Sequence, residues 1–225
     1  MNFQTIRACS VLSACCLAAG LASAQHAGDL VVRLGVTQIK PDVNSGDLSA
    51  PAFTGTKAAV GASTRPTAGV TWFWRDNISL DLPLALGFEH ELTGDGAIAG
   101  MGKLGTAKVL PATLLVQYRF GAADARVRPY VGVGPTYARF YGERSTMALT
   151  GVTGGSPTTP TTLRVQSHWG LTGELGASVQ LAPRWSLDVS VLKTKLKTRT
   201  QLSTGQHMDI ALDPWSYSLS VGYSF

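Results

Sequence analysis

The chain has 225 residues and a formal charge of +5, with 15% charged residues, few for a soluble domain of this length. Beyond residue 24 there is no uninterrupted apolar run of about eighteen residues, which excludes helical membrane spans there, and the basic residues do not cluster with aromatics, which excludes a nucleic-acid-binding surface. All three cysteines, Cys9, Cys15 and Cys16, precede residue 25, so the rest of the chain has no disulfide, thiolate metal site or cysteine nucleophile.

The chain opens on a leader. Arg7 supplies a positive start, Ala8 to Leu21 is apolar, and Ala22-Ser23-Ala24 is a small-x-small cleavage site, predicting a signal peptide over 1–24 and a mature start at Gln25. Leu12-Ser13-Ala14-Cys15 resembles a lipoprotein box but leaves too short an apolar segment after Arg7 and ranks second. Cleavage removes Arg7 and lowers the charge from +5 to +4.

The mature chain then alternates at period two, segment after segment. Gly28 to Lys40 is the first strand, with Arg33 on its inward face, and 41–65 reads as a long Pro/Gly/Ser/Ala loop. Pro66 to Trp74 sets Ala68, Val70, Trp72 and Trp74 outward, and Arg75-Asp76-Asn77 turns tightly into a third strand. There Ile78, Leu80, Leu82, Leu84, Leu86 and Phe88 form one apolar face opposite Ser79, Asp81, Pro83, Ala85 and Gly87. A glycine-rich second loop spans 89–108. In the fourth strand Ala112, Leu114, Val116, Tyr118 and Phe120 alternate with Thr113, Leu115, Gln117 and Arg119, and 121–127 is a short turn. The fifth strand, Arg128 to Tyr141, is ambiguous in facing, although Gly132 and Gly134 suit a crowded interior. It opens into the loop 142–166, whose Gly-Gly-Ser-Pro-Thr-Thr-Pro tract is turn-rich. His168 to Leu181 turns Leu171, Leu175, Ala177, Val179 and Leu181 one way and Thr172, Glu174, Gly176, Ser178 and Gln180 the other. After the tight turn 182–184, Trp185, Leu187, Val189 and Val191 lead into Lys193, Lys195, Lys197 and Arg199 on the same face. A loop around 201–207 precedes the last strand, WSYSLSVGYSF, in which Trp215, Tyr217, Leu219, Val221, Tyr223 and Phe225 oppose four serines and a glycine.

Eight such strands, with long and short connections in alternation, predict an all-β fold: an eight-stranded antiparallel transmembrane β-barrel of the outer-membrane type. Long loops lie outside, short turns and both termini lie on the periplasmic side, and residues 25–225 form a single domain. A barrel of eight strands is filled by side chains, which excludes a wide aqueous pore. A soluble calyx would crowd Trp72, Trp74, Trp185 and Tyr223 into a narrow interior and leave the small polar faces outside, which disfavours it.

With the strands placed, specific residues become recognisable. Leu110-Pro111-Ala112-Thr113-Leu114, Arg128-Pro129-Tyr130-Val131-Gly132-Val133-Gly134, Trp169-Gly170, Leu212-Asp213-Pro214-Trp215 and Gly222-Tyr223-Ser224-Phe225, with Gly28-Asp29 and Asp76-Asn77-Ile78, occur in order along the mature chain. Together they resemble the motifs of the outer membrane protein W (OmpW) family. The resemblance implies a bacterial outer-membrane barrel with a narrow hydrophobic channel for small apolar molecules, as in related alkane importers, with lateral release through the wall. Pro83, at an inward position where the family usually has a bulky apolar residue, departs from the pattern and removes a ladder hydrogen bond.

Arg33, Asp81, Arg119, Glu174 and Asp188 are expected inside the barrel, paired with one another as a plug that closes the periplasmic half; Pro83 and Trp169 complete the channel candidates. Lys193, Lys195, Lys197 and Arg199 are candidate contacts for lipopolysaccharide phosphates, or a solvated strand extension. Tyr217, Leu219, Val221, Tyr223 and Phe225 look like the carboxy-terminal signal read by the barrel-assembly machinery. No catalytic constellation emerges: His26, His90, His168 and His207 lack metal-type spacing, and no cofactor is expected. A surface-interaction barrel, with its loops as adhesin or phage receptor, stays open beside transport, and a lipid-modifying barrel enzyme stands behind both.

Overall fold

The computed structural model describes residues 25–52 and 54–225, so the expected signal peptide lies outside the described residues. The first strands are β1 (Leu30–Lys40), a two-residue β2 (Asn44–Ser45), β3 (Thr56–Val60), β4 (Ser63–Arg75) and β5 (Ile78–Ala85). After β5 come β6 (Phe88–Gly96), β7 (Lys103–Thr113), β8 (Leu115–Arg119) and the long β9 (Val127–Ser145). A one-turn helix α1 (Met147–Val152) leads to β10 (Leu163–Val165), β11 (His168–Ala182), β12 (Trp185–Lys195), β13 (Lys197–Leu202), β14 (His207–Ala211) and β15 (Trp215–Ser224).

Eight antiparallel staves close in the order β1-β4-β5-β8-β9-β11-β12-β15. β15 returns to β1 over ten residue pairs, from Val31 opposite Ser224 to Lys40 opposite Trp215. Strand alternation sets the two faces. Leu34, Leu175, Leu181, Val189 and Leu219 are exposed on the outside, whereas Ser79, Gln117, Thr172, Ser178 and Ser190 are buried within. Pairing of the first strand with the last leaves no free strand at either end of the sheet, the condition for a sheet to lie in lipid. Short turns tie the periplasmic end: the Asn77 side-chain amide donates to the carbonyls of Arg119 (2.7 Å) and Gly121 (3.0 Å), locking neighbouring turns together. Aromatic rings gather there, with Trp185, Tyr223 and Phe225 in successive edge-to-face contacts at 5.0 and 4.9 Å.

Above the band of exposed aliphatics the expected loops are built of strands. Within 89–108, β6 and β7 form a hairpin, and β3, from 41–65, adds to its edge. β9 runs on to Ser145, the 142–166 segment contains α1 and β10, and β13 and β14 pair with β10 and β2 in a second small sheet. These elements enclose an apolar core that includes Leu48, Leu104, Leu149, Leu163, Leu202, Met208 and Ile210. Met208 and Ile210 alternate along β14, but Leu104, Leu149 and Leu163 sit singly among Gly, Thr and Pro, so the packing that orders them is tertiary and leaves little local pattern.

One parity assignment is reversed. Phe88 is 1% exposed and points inward, because the chain breaks at Leu86-Gly87 between β5 and β6 and resumes one residue out of phase. Gly87 fits that break for lack of a side chain: a Cβ there would collide with the Tyr141 hydroxyl.

Candidate functional site

The barrel interior is organised in layers. At the periplasmic end the inward faces of the staves bring Arg33, Asp81, Arg119, Glu174 and Asp188 together, all buried. Arg33 donates through Nη2 to Asp81 Oδ1 at 2.5 Å and through Nη1 to Asp188 Oδ1 at 2.9 Å. Thr71 and Tyr130 hydroxyls donate to the same two oxygens at 2.6 and 2.9 Å. Arg119 donates to Ser79, Ser178 and Gln117 at 2.9–3.2 Å and lies over the Tyr130 ring, 4.4 Å from its centroid. Gln117 in turn donates to Glu174 Oε2 at 2.7 Å. Gly176 makes room for Tyr130, whose ring occupies the space of any Cβ at that position. The result is a cross-linked layer of buried polar side chains at the base of the interior. Arg33 Nε and Asp81 Oδ2 are buried without a hydrogen-bond partner among the described residues.

Strand parity predicts the inward charges; the structure adds Tyr130 and Phe73, both fully buried against Arg119. Phe73 lies between two outward tryptophans, so parity alone would have found it. Trp169 is not a lumen residue. It is 65% exposed on the outer face and packs on Tyr137 with ring centroids 5.0 Å apart, because it shares the parity of Leu171 and Leu175.

Above the floor lies a chamber of about 150 Å³. Arg33, Asp81 and Glu174 form its base, threonines and serines its middle, and Ile39, Phe88, Leu92, Val109, Phe140 and Leu196 are among the apolar residues of its upper part. The middle contains a chain of hydroxyls running Thr113, Thr136, Thr172, Thr194 from the end of β7 across the staves β9, β11 and β12, at 2.8, 2.5 and 2.8 Å. A second runs Thr67, Thr37, Ser218 across three more, at 3.0 and 2.9 Å. A smaller apolar cavity of about 60 Å³ in the extracellular core shares Leu92, Thr200 and Ile210 with the chamber, so the two adjoin. His90 borders the chamber's upper part, its Nδ1 2.7 Å from the Gly61 carbonyl oxygen, and burial lowers its pKa.

The wall is incomplete on one side. β5 pairs with β8 only from Ile78 opposite Tyr118 to Asp81 opposite Leu115, and pairing resumes with β6 and β7 at Phe88 opposite Val109. Between these points 82–87 faces 110–114 without a ladder. Each lip carries a proline, Pro83 and Pro111, which has no N–H to offer. Both prolines line the chamber, as does Leu84, whose side chain is 44% exposed on the outer face. The gap in pairing thus lies between the chamber lining and the outward-facing aliphatic surface.

On the outside, above the aliphatic band, Lys193, Lys195, Lys197 and Arg199 follow one another on the outer face of β12 and β13. They are not equivalent. The Lys193 ammonium contacts Asp42 at 3.1 Å and the Asp213 carbonyl at 2.7 Å and sits over the Trp215 ring. Arg199 grips Asp209 through two bonds, at 2.6 and 2.9 Å, which holds that carboxyl below its usual pKa. Lys195 and Lys197 are exposed and carry no ion pair among the described residues. In β15, Tyr217, Leu219, Val221 and Tyr223 alternate on the outer face, and the Phe225 amide donates to the Leu30 carbonyl at 2.9 Å.

The OmpW family profile matches residues 26–225. Outer membrane protein W of Vibrio cholerae is 31% identical over 226 residues, covering 99% of both chains. The crystal structure of OprG from Pseudomonas aeruginosa superposes with a TM-score of 0.80 at 29% identity, covering 91% of this chain and 99% of that one. The fold is shared as well with AlkL, solved in lipid bilayers, at a TM-score of 0.64 and 21% identity over 100% of this chain and 97% of that one. A closed barrel with an apolar outer face, and homologues named for the outer membrane, put the protein in the bacterial outer membrane with lipid around its staves. The chain belongs to the OmpW family.

Proposed function

We propose that the barrel admits small hydrophobic molecules from outside the cell and releases them sideways into the outer membrane. The observation that supports this reading is the unpaired seam at Pro83 and Pro111, two residues that line the chamber where the wall lacks a ladder, above the layer of paired charges. An apolar solute leaves the outer medium for the extracellular core, passes to the adjoining chamber, and meets paired charges that exclude it from the periplasmic side. The open side is flanked by Leu82, Leu84, Leu86 and Leu114, all exposed where lipid lies. Exit along that route brings the solute to the aliphatic outer face without crossing the charged layer.

Uptake of a radiolabelled apolar solute by cells with and without the protein tests the reading. Protein-dependent uptake is expected, with little ion conductance in planar bilayers. The double variant Pro83→Ala/Pro111→Ala restores two backbone donors to the lips and is expected to slow uptake. A large, stable open conductance, or uptake unaffected in the double variant, refutes lateral release. Two membrane-facing roles accompany transport in this proposal: Lys195 and Lys197 meet lipopolysaccharide phosphates, and the outer-face residues of β15 with Phe225 are read by the barrel-assembly machinery.

A further inference from the structure

The chamber changes chemistry along its length, and its two parts ask for different ends of one molecule. The upper part is hydrocarbon, with Leu92, Phe140 and Leu196 on its walls. The middle is a belt of hydroxyls. A hydroxyl donates one hydrogen bond and accepts two. The chain of four from Thr113 to Thr194 contains three bonds, so one donor and most of its lone pairs stay uncommitted. The chain of three through Thr37 contains two bonds and likewise spares a donor. On β5 the belt is interrupted: Ala85 stands opposite Thr67, with Pro83 two residues below.

Resting on the transport reading above, we propose that the chamber selects neutral amphiphiles, a ring or short chain with one hydroxyl or carbonyl, over hydrocarbons of the same shape. The polar group lies on the threonine belt and the apolar end points up toward Phe140. A hydrocarbon at the belt strips water from hydroxyls and returns no hydrogen bond, whereas an alcohol or ketone replaces those bonds. Charge is excluded on two counts. A carboxylate descending to the base finds Arg33 already paired with Asp81 and Asp188, with Glu174 beside them, and an ion of either sign loses its hydration in the apolar upper part. A chamber of about 150 Å³ matches the size of cavities that take up benzene. The solute is thus small, roughly six to ten heavy atoms on that comparison.

Benzyl alcohol and ethylbenzene are isosteres that differ in this one group. The full mature barrel, in lipid nanodiscs with methyl-labelled threonine, leucine and isoleucine, is titrated with each and the NMR shifts of Thr113, Thr136 and Thr194 are followed. Half-saturation by benzyl alcohol is expected at about three- to tenfold lower concentration than by ethylbenzene, the range of one net hydrogen bond. In Thr136→Val/Thr172→Val that preference disappears while ethylbenzene binding is kept, and Thr136→Ser retains it. Equal half-saturation for the two probes, or a preference that survives the double valine variant, overturns the proposal. Uptake of the same pair by cells separates the two readings. A preference in the titration without protein-dependent uptake supports the chamber's selectivity and sinks transport. Protein-dependent uptake with equal binding does the reverse.

Discussion

Replacing Arg33 by methionine tests whether the floor of the barrel is a dry, charge-paired plug. The guanidinium bridges two carboxylates, Asp81 at 2.5 Å and Asp188 at 2.9 Å, and the two aspartates are 0% and 3% exposed. Methionine fills a similar volume and removes both ion pairs at once. Asp81 then keeps the hydroxyl of Thr71, and Asp188 that of Tyr130, neither of which neutralises charge. Leaving a buried ionic partner uncompensated costs about 3–5 kcal/mol. At about 1.4 kcal/mol per decade this lowers the folded-to-unfolded ratio by roughly two to three and a half orders of magnitude. The triple variant Arg33→Met/Asp81→Asn/Asp188→Asn removes the orphaned charges and recovers most of the loss, since neutral isosteres of a buried ion pair are commonly tolerated. Urea titration of the barrel refolded into lipid vesicles, followed by tryptophan fluorescence, measures all three proteins. A single variant within about 1 kcal/mol of the parent, or a triple variant no more stable than the single, would show that water reaches these carboxylates and that the floor is not sealed.

Lys195→Gln/Lys197→Gln is expected to reduce lipopolysaccharide co-purification by roughly fivefold per lysine, from about 1 kcal/mol for each cation near an anionic surface, whereas Arg199→Gln, whose guanidinium is held by Asp209, adds little; equal losses from Lys195 and Arg199 would contradict the assignment. Burial depresses the pKa of His90 in the folded protein, so the unfolded chain takes up the proton first as pH falls below about 6.5, and stability declines from there down through the folded pKa. Protection factors of amides in the β6–β7 hairpin, corrected for the intrinsic pH dependence of exchange, are therefore expected to be lower at pH 5.5 than at pH 7.5, and His90→Gln is expected to abolish the difference. Phe225→Ala is expected to lower the amount of protein in the outer membrane severalfold while leaving urea stability of the purified, refolded barrel within about 0.5 kcal/mol, and parallel losses in both would assign Phe225 to stability instead.

The lower half of the barrel was legible because lipid and lumen impose opposite chemistry on alternate residues. The run from Ile78 to Leu84, the fourth strand from Ala112 to Phe120 and the last strand all keep that parity in the structure. Where the solvent changes, the pattern fails. Leu104 among glycines, Leu149 in a threonine-rich stretch and Leu163 after Pro160 are buried by one another above the membrane, an arrangement set by long-range packing. Phe88 misled for a different reason: alternation assumes an unbroken strand, and the break at Leu86-Gly87 resets it. Trp169, expected among the channel residues, shares the parity of Leu171, and that parity decides for the outer face. The seam itself had a partial signature in Pro83 and Pro111, but which backbone groups lose their partners follows only from the register between staves.

The ten-pair junction between β1 and β15 also dictates an order of events. Its partners, from Val31 with Ser224 to Lys40 with Trp215, are drawn from opposite ends of the chain, while most other stave junctions join neighbours in sequence. Loop-closure entropy makes such a contact the most expensive to form early. Until residues 215–224 are made, the sheet has two open edges, one at each end of the chain, and neither can enter hydrocarbon with its amides unpaired. Membrane insertion and completion of the polypeptide are therefore coupled by geometry. A chain cut short by its final strand would retain most of its local hairpins and still have no way to settle in the bilayer.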